Sequence, residues 1–190
     1  INKTIRLSKK NKLDSEMLEA WKKYKKSNND LVHASLKAKA ALFGVDATME
    51  LAKELTEENE KVVIFTCHRE AASELLLRCK KLGKAWLITG STSSTKRSEI
   101  VKKFNESKTG ILIGTVGSMS TGFTLTTANR MIFNDFPWVP SDLVQAKKRI
   151  HRIGQDSTCF YYFILFSDIH YQIYNVIIEK AKTISEVINV

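Results

Sequence analysis

One amide and two guanidiniums recur at helical intervals in SDLVQAKKRIHRIGQ (141–155). Gln145, Arg149 and Arg152 stand at i, i+4 and i+7, so a continuous helix puts them on one face. Leu143, Ala146, Ile150 and Ile153 fall on another face as an apolar stripe suited to burial. With that stripe packed inward, the amide and guanidiniums point together into a cleft, and paired guanidinium forks suit bidentate contact with phosphate oxygens. Paired arginines of this kind can stabilise the charge of phosphoryl transfer. On spacing alone, a solvated basic face accounts for the same residues.

Other reactive side chains offer less. Cys67, Cys79 and Cys159 lie far apart with no CxxC pair and read as small buried apolar residues. His33, His68, His151 and His170 show no HExxH spacing, so no metal bound by this chain alone is expected. Gly90-Ser91-Thr92, after an apolar run, offers small side chains and open backbone N–H groups to a sugar-phosphate backbone, or simply makes a strand-to-helix turn. Trp138 in FPWVP can stack on a nucleotide or plug a packing gap. Lys22, Lys23, Lys25 and Lys26 read as a solvated helix face.

The elements that must position these residues follow from hydrophobic spacing. Met17, Leu18, Trp21 and Tyr24, then Met49, Ala52 and Leu55, recur at helical intervals, so residues 1–60 read as helices, with KKYKKSNND as a turn. From Lys61 the texture changes to apolar runs alternating with amphipathic helices: KVVIF, AWLIT (85–89), ILIGT (111–115), MIFND (131–135) and CFYYFILF (159–166). Between them, Ala72, Leu75, Leu76, Cys79 and Leu82 mark one helix face ending at Gly83, and a second helix runs from Lys96 to Phe104. Pro140 and Ser141 start the helix of the arginine segment, and a last one carries Ile169, Ile173, Val176 and Ile177. This alternation predicts an α/β fold with a mostly parallel sheet over 61–190, preceded by a helical spacer over 1–60, with chemistry in the loops after the strands.

QAKKRIHRIGQ resembles the sixth helicase motif of the Swi/Snf-type branch of superfamily-two ATPases, Gln-Ala, two acidic residues, then Arg-Ala-His-Arg-Ile-Gly-Gln. VVIFTCHREA resembles the fourth motif, ITGSTSSTKRSEIVKKFN the element after it, and ILIGTVGSMSTGFTLTTANRMIF the fifth, so the likeness covers 61–155. It implies a RecA-like three-layer carboxyl-terminal lobe. Arg149 and Arg152 become arginine fingers toward the γ-phosphate of ATP, with Gln145 bracing the site. Gly122 becomes the close-approach glycine of the nucleotide loop, and Ser91, Thr92, Thr115 and Trp138 become DNA contacts. Lys147 and Lys148 replace the family's acidic pair and are left as DNA-phosphate contacts. Ser120 stands where the family has Gly, Thr124 where it has Asn, and Val139 where it has Asn, departures expected to alter ATP coupling at the first two.

The sequence contains neither a GxxxxGK[ST] phosphate loop nor an Asp-Glu metal motif, which the family carries in its first lobe. The implied function is the second motor lobe of an ATP-dependent double-stranded DNA translocase, inactive as an ATP hydrolase by itself. Its partners are an amino-terminal RecA-like lobe holding ATP with Mg²⁺, and duplex DNA. Alternatives are a non-catalytic nucleic-acid or protein docking module and the lobe of a strand-separating DNA or RNA helicase. The 190 residues carry net charge +10, and 61–190 hold eighteen basic against ten acidic side chains, which fits a polyanionic partner. No run of about 18 apolar residues appears and INKTIRLSKK lacks a signal-like stretch, so an intracellular monomer without membrane association is expected, in cytoplasm, nucleoid or nucleus.

Overall fold

The computed structural model describes residues 1–6, 15, 19, 30–119, 123–137, 139–165 and 168–188. In chain order the elements are β1 (Asn2–Arg6), α1 (Asp30–Phe43), α2 (Val45–Glu57), β2 (Lys61–Thr66), α3 (Arg69–Cys79), β3 (Ala85–Ile88) and α4 (Ser94–Glu106). Then come β4 (Gly110–Thr115), the single turn α5 (Val116–Met119), β5 (Arg130–Phe133), α6 (Pro140–Lys147), β6 (Phe160–Leu165) and α7 (Asp168–Ile188). The strands lie in the order β1-β6-β5-β2-β4-β3, and every neighbouring pair is parallel.

A parallel sheet needs crossover helices, and these cover both faces, which is why β2 and β4 are buried along their whole length. Successive side chains alternate between the faces. Val63, Phe65, Leu112, Met131, Phe133 and Phe163 face α4, α6 and α7, which contribute Phe104, Leu143, Ala146, Tyr174 and Ile177. Val62, Ile64, Ile111, Ile113, Ile132 and Ile164 face α2 and α3, which contribute Val45, Ala52, Leu55, Ala72 and Leu75. On the first face Phe133 and Phe163, register partners across β5 and β6, stack at 4.7 Å between centroids.

Two sequence expectations change. Asn2–Arg6 is an edge strand rather than helix, because its backbone completes the outer edge of β6 from Asn2 opposite Tyr161 to Arg6 opposite Leu165. The arginine-bearing helix stops at Lys147, and 148–154 run as turns, so Arg149 and Arg152 share no helix face with Gln145. Ile153 is correspondingly fully exposed instead of joining the buried stripe, while Leu143, Ala146 and Ile150 are buried as expected. Met17, Leu18, Trp21, Tyr24 and KKYKKSNND lie outside the described residues, apart from Asp30 at the start of α1. Among the described residues no helix is long and apolar enough to cross a membrane, and no group of three or more His, Cys, Asp or Glu is placed to hold a metal ion.

The packed core crosses residue 60, because α2 shares one apolar layer with β2 and α3. Asn134, just past β5, fastens the α1–α2 junction to the sheet. Its Nδ2 donates to the Ala41 carbonyl at 2.8 Å and its Oδ1 accepts from the Thr48 hydroxyl at 2.8 Å. Gly44 lies so close that a Cβ there would sit 2.8 Å from the Asn134 carbonyl oxygen. Its φ of −70° is ordinary, so the need for glycine is purely steric. Gly44→Ala is expected to destabilise the protein by about 1–3 kcal/mol through overpacking, measured by equilibrium denaturation.

Candidate functional site

The arginine segment gets its shape from the way α6 ends. Pro140 opens the helix at a position where its missing N–H is not needed, and the Lys148 N–H closes the last turn on Val144. Thereafter Arg149 N–H donates to Ala146 at 3.0 Å and His151 N–H to Lys147 at 3.2 Å, and Gly154 turns the chain at φ +92°, a left-handed conformation that favours glycine. Ile150 is fully buried and anchors the turn in the core. The Arg149 carbonyl accepts from the Leu125 N–H at 2.9 Å, which lays the segment against the loop leading into β5.

Arg149 is itself buried, its guanidinium 6.0 Å from the centre of the Phe123 ring. Burial first, and then the neighbouring Arg152 charge, lower its pKa from the usual guanidinium range. Arg152 is exposed, and its Nη1 donates to Thr124 Oγ1 at 3.1 Å. Both arginines line a cleft of about 1130 Å³ together with Gln145, Lys147, Lys148 and Lys182, and no described residue lining it is a carboxylate. Such a cleft gathers several cations, which suits a polyphosphate. Among the described lining residues the side-chain oxygens are neutral ones, from Asn2, Thr124, Gln145 and Tyr161, with no carboxylate to anchor a divalent cation.

The two lysines of this segment face different surroundings. Lys148 is exposed. Lys147 runs back over the rings of Tyr161 and Phe163, at 5.0 and 5.4 Å, and its Nζ donates to Asn2 Oδ1 at 3.0 Å. Burial lowers its pKa from 10.5 to about 8. As an outward DNA-phosphate contact Lys147 is therefore replaced by a half-buried cation on aromatic faces.

At the carboxyl ends of the central strands a second set of loops gathers. Thr66 and Thr115 are register partners, and Ile88 ends β3 opposite Gly114. The Thr115 side chain is buried and its hydroxyl donates to Ser118 Oγ at 3.1 Å, while Ser118 donates to the Ile88 carbonyl at 2.8 Å. The Thr115 hydroxyl, expected as part of a DNA-contacting loop, ties two strand ends together inside the molecule. Ser91 is exposed, with Arg69 Nη2 at 3.4 Å. Thr92 shapes the turn, its hydroxyl accepting the Thr89 N–H at 3.0 Å and its carbonyl accepting from Arg97 Nη2 at 3.2 Å. Gly122 and Trp138 lie outside the described residues.

A family model described as the helicase conserved C-terminal domain matches residues 45–154. The chain belongs to that family. This helicase carboxyl-terminal lobe is 29% identical over 149 residues to the SWI/SNF-related matrix-associated actin-dependent regulator of chromatin subfamily A-like protein 1 of Xenopus tropicalis, covering 75% of the lobe and 16% of that protein. Against the crystal structure of the C-terminal part of the Fun30 ATPase domain the TM-score is 0.64 at 29% identity, covering 70% of the lobe and 44% of that chain. The Sulfolobus solfataricus SWI2/SNF2 ATPase core in complex with dsDNA shares the fold, with a TM-score of 0.69 at 20% identity over 87% of the lobe and 41% of that chain. The lobe is the RecA-like carboxyl-terminal lobe of a Swi/Snf-type ATPase.

Within the lobe, the structure brings Gln145, Lys148, Arg149 and Arg152 to one cleft and Ser91 and Thr92 to the sheet's carboxyl edge. Sequence reasoning did not single out Arg69, Arg97, Ser118 or Asp135. Asp135 accepts from the Thr66 hydroxyl and from the Cys67 N–H at 2.9 Å, with His68 Nε2 3.9 Å away. These groups open on a cavity of about 270 Å³ that Phe136 and His170 also line. Cys67 is half-buried there rather than buried, and burial, then Asp135, push its thiol pKa up. His170 stacks on Phe136 at 4.4 Å and burial takes its pKa down to about 3. Their only sequence signal was position immediately after an apolar run.

Lys147 makes stability pH-dependent in a defined direction. Its folded pKa lies below 10.5, so the unfolded chain binds the extra proton between about pH 8 and 10.5, and stability rises with pH across that window. Lys147→Met is expected to remove this rise and to stabilise the lobe at pH 7. Denaturation of both proteins at pH 7 and pH 10 checks it, with the wild-type-minus-variant difference isolating this lysine.

Proposed function

We propose that the lobe is the second motor lobe of an ATP-dependent translocase on double-stranded DNA. ATP, with Mg²⁺, is held by an amino-terminal RecA-like lobe, and this lobe closes on it with Arg149 and Arg152 as arginine fingers. The observation that carries the reading is the cationic cleft, with no carboxylate among the described residues that line it, in which one arginine is buried and braced while the other is exposed. The cleft's donor set fits a triphosphate, and no described residue lining it is a carboxylate that would anchor Mg²⁺, which agrees with the metal belonging to the opposite lobe. ATP supplies the energy through phosphoryl transfer to water. The part of this chain is to place positive charge on the transferring group and to make that placement depend on closure.

The chain spans 16% of the length of its Xenopus tropicalis relative, so activity belongs to a larger, intracellular, monomeric protein in this reading. Gln145 braces the nucleotide side and Gly122 lets its loop approach. Ser91, with Arg69 beside it, contacts one DNA strand through phosphate, as do Thr92, Lys148 and the loop that begins at Thr115, while Trp138 stacks on a nucleotide. Such contacts carry no sequence information, which suits movement along any duplex. The solved Sulfolobus core in complex with dsDNA supports duplex over single strand as the substrate.

In the two-lobed protein, Arg152→Ala is expected to lower DNA-stimulated ATP turnover by about 10³-fold or more, the scale of an arginine finger. Steady-state ATP hydrolysis with and without duplex DNA measures it. Turnover that ignores DNA, or that survives the substitution, leaves a docking module as the better account.

A further inference from the structure

We infer that Gln155 is the positioning residue for the arginine pair, acting as a carboxamide staple between the arginine turn and the loop before β5. The inference rests on the motor-lobe reading and deepens it.

No regular helix holds residues 149–155, so their geometry depends on individual hydrogen bonds. One is the Leu125 N–H to the Arg149 carbonyl, and another is Arg152 to Thr124. Backbone bonds from Arg149 to Ala146 and from His151 to Lys147 shape the turn itself, and Gln155 adds side-chain contacts across to the loop before β5. Its Nε2 reaches three carbonyl oxygens, Ile150 at 3.1 Å, Thr126 at 3.1 Å and Ala128 at 2.9 Å. Ile150 lies between the two arginines, and Thr126 and Ala128 lie just beyond the residue whose N–H receives the Arg149 carbonyl. One amide nitrogen therefore grips both sides of the junction. Its Oε1 accepts the Ser157 N–H at 2.9 Å, and its own N–H donates to the Arg152 carbonyl at 3.0 Å.

The chemistry of this pocket selects the residue type. Three carbonyls converging on one atom require a donor with two hydrogens, which a carboxamide has. A carboxylate of the same shape has none and would face three acceptors. Removing the staple leaves the turn's own backbone bonds and the buried Ile150, but only the bond from Leu125 and the exposed Arg152–Thr124 contact to hold the turn against the loop before β5. A displacement of about 1 Å in a group acting on a transferring phosphoryl can cost 10²-fold in rate.

Gln155→Ala and the isosteric Gln155→Glu, with Arg152→Ala as reference, separate the outcomes in the two-lobed protein assayed with duplex DNA. Both Gln155 variants are expected to lower kcat by about 10- to 100-fold, with KM for ATP held within about threefold, because the group lost acts on the transition state through the arginines. Glu is expected to be no better than Ala, since it fills the space without donating. Thermal melting of each variant fixes the folded fraction, and kcat is taken per folded molecule. Wild-type kcat per folded molecule in either variant, a near-wild-type Glu variant, or a loss confined to KM would overturn the inference while leaving the arginine reading intact. DNA-stimulated turnover in Arg152→Ala would overturn the arginine reading itself, and this inference with it.

Discussion

Two loops laid edge to edge, 123–128 and 149–155, carry the arrangement on which the candidate site depends. Because α6 ends at Lys147, the arginines inherit no helical geometry and are placed by the Arg149 carbonyl on Leu125, by the buried Ile150 side chain and by contacts from Gln155. The sheet makes this pairing available. β5 follows the first loop and β6 the second, and their parallel register from Arg130 opposite Phe160 to Phe133 opposite Phe163 brings the two loops to neighbouring strand starts. The stacked pair of Phe133 and Phe163 and the ring of Tyr174 then fix α7 over the same layer.

The cleft formed there stores electrostatic cost that an anion would relieve. Arg149 is buried with another guanidinium near enough to disfavour its charge, and Lys147 is kept on aromatic faces with its pKa reduced. No described carboxylate lines the cleft to offset either cation. In ordinary cores buried cations are paired, and removing a partner is destabilising. Cations gathered in one cleft, one of them buried, suit a ligand of opposite charge. Under the proposed motor-lobe reading, nucleotide binding and lobe closure become one event, since the anion that relieves the repulsion is brought by the other lobe.

Five of the six strands were legible from apolar runs bounded by turn residues, with ends displaced by a residue or two, because a strand buried on both faces must be apolar throughout. β1 was not, since NKTIR is a short, mostly exposed edge strand with little hydrophobic signal. The arginine segment misled for a physical reason. Leu143, Ala146 and Ile150 are buried at helical intervals, yet the chain reaches Ile150 through successive tight turns after the helix has stopped. The family resemblance marked Thr115 and Lys147 as DNA contacts, and only the structure shows that one hydroxyl is tied to Ser118 and one ammonium to Asn2. Gln155 was visible as the last letter of a motif, whereas its grip on the Thr126 and Ala128 carbonyls depends on residues 29 and 27 positions earlier in the chain.

The most direct measurement of the central claim is a structure of the two-lobed protein bound to duplex DNA, ADP, Mg²⁺ and an aluminium fluoride mimic of the transferring phosphoryl group. The account predicts closure with the guanidiniums of Arg149 and Arg152 within hydrogen-bonding reach, about 3 Å, of the fluoride ligands. A closed complex in which both arginines face DNA or solvent, with the mimic contacted only by the first lobe, would contradict it.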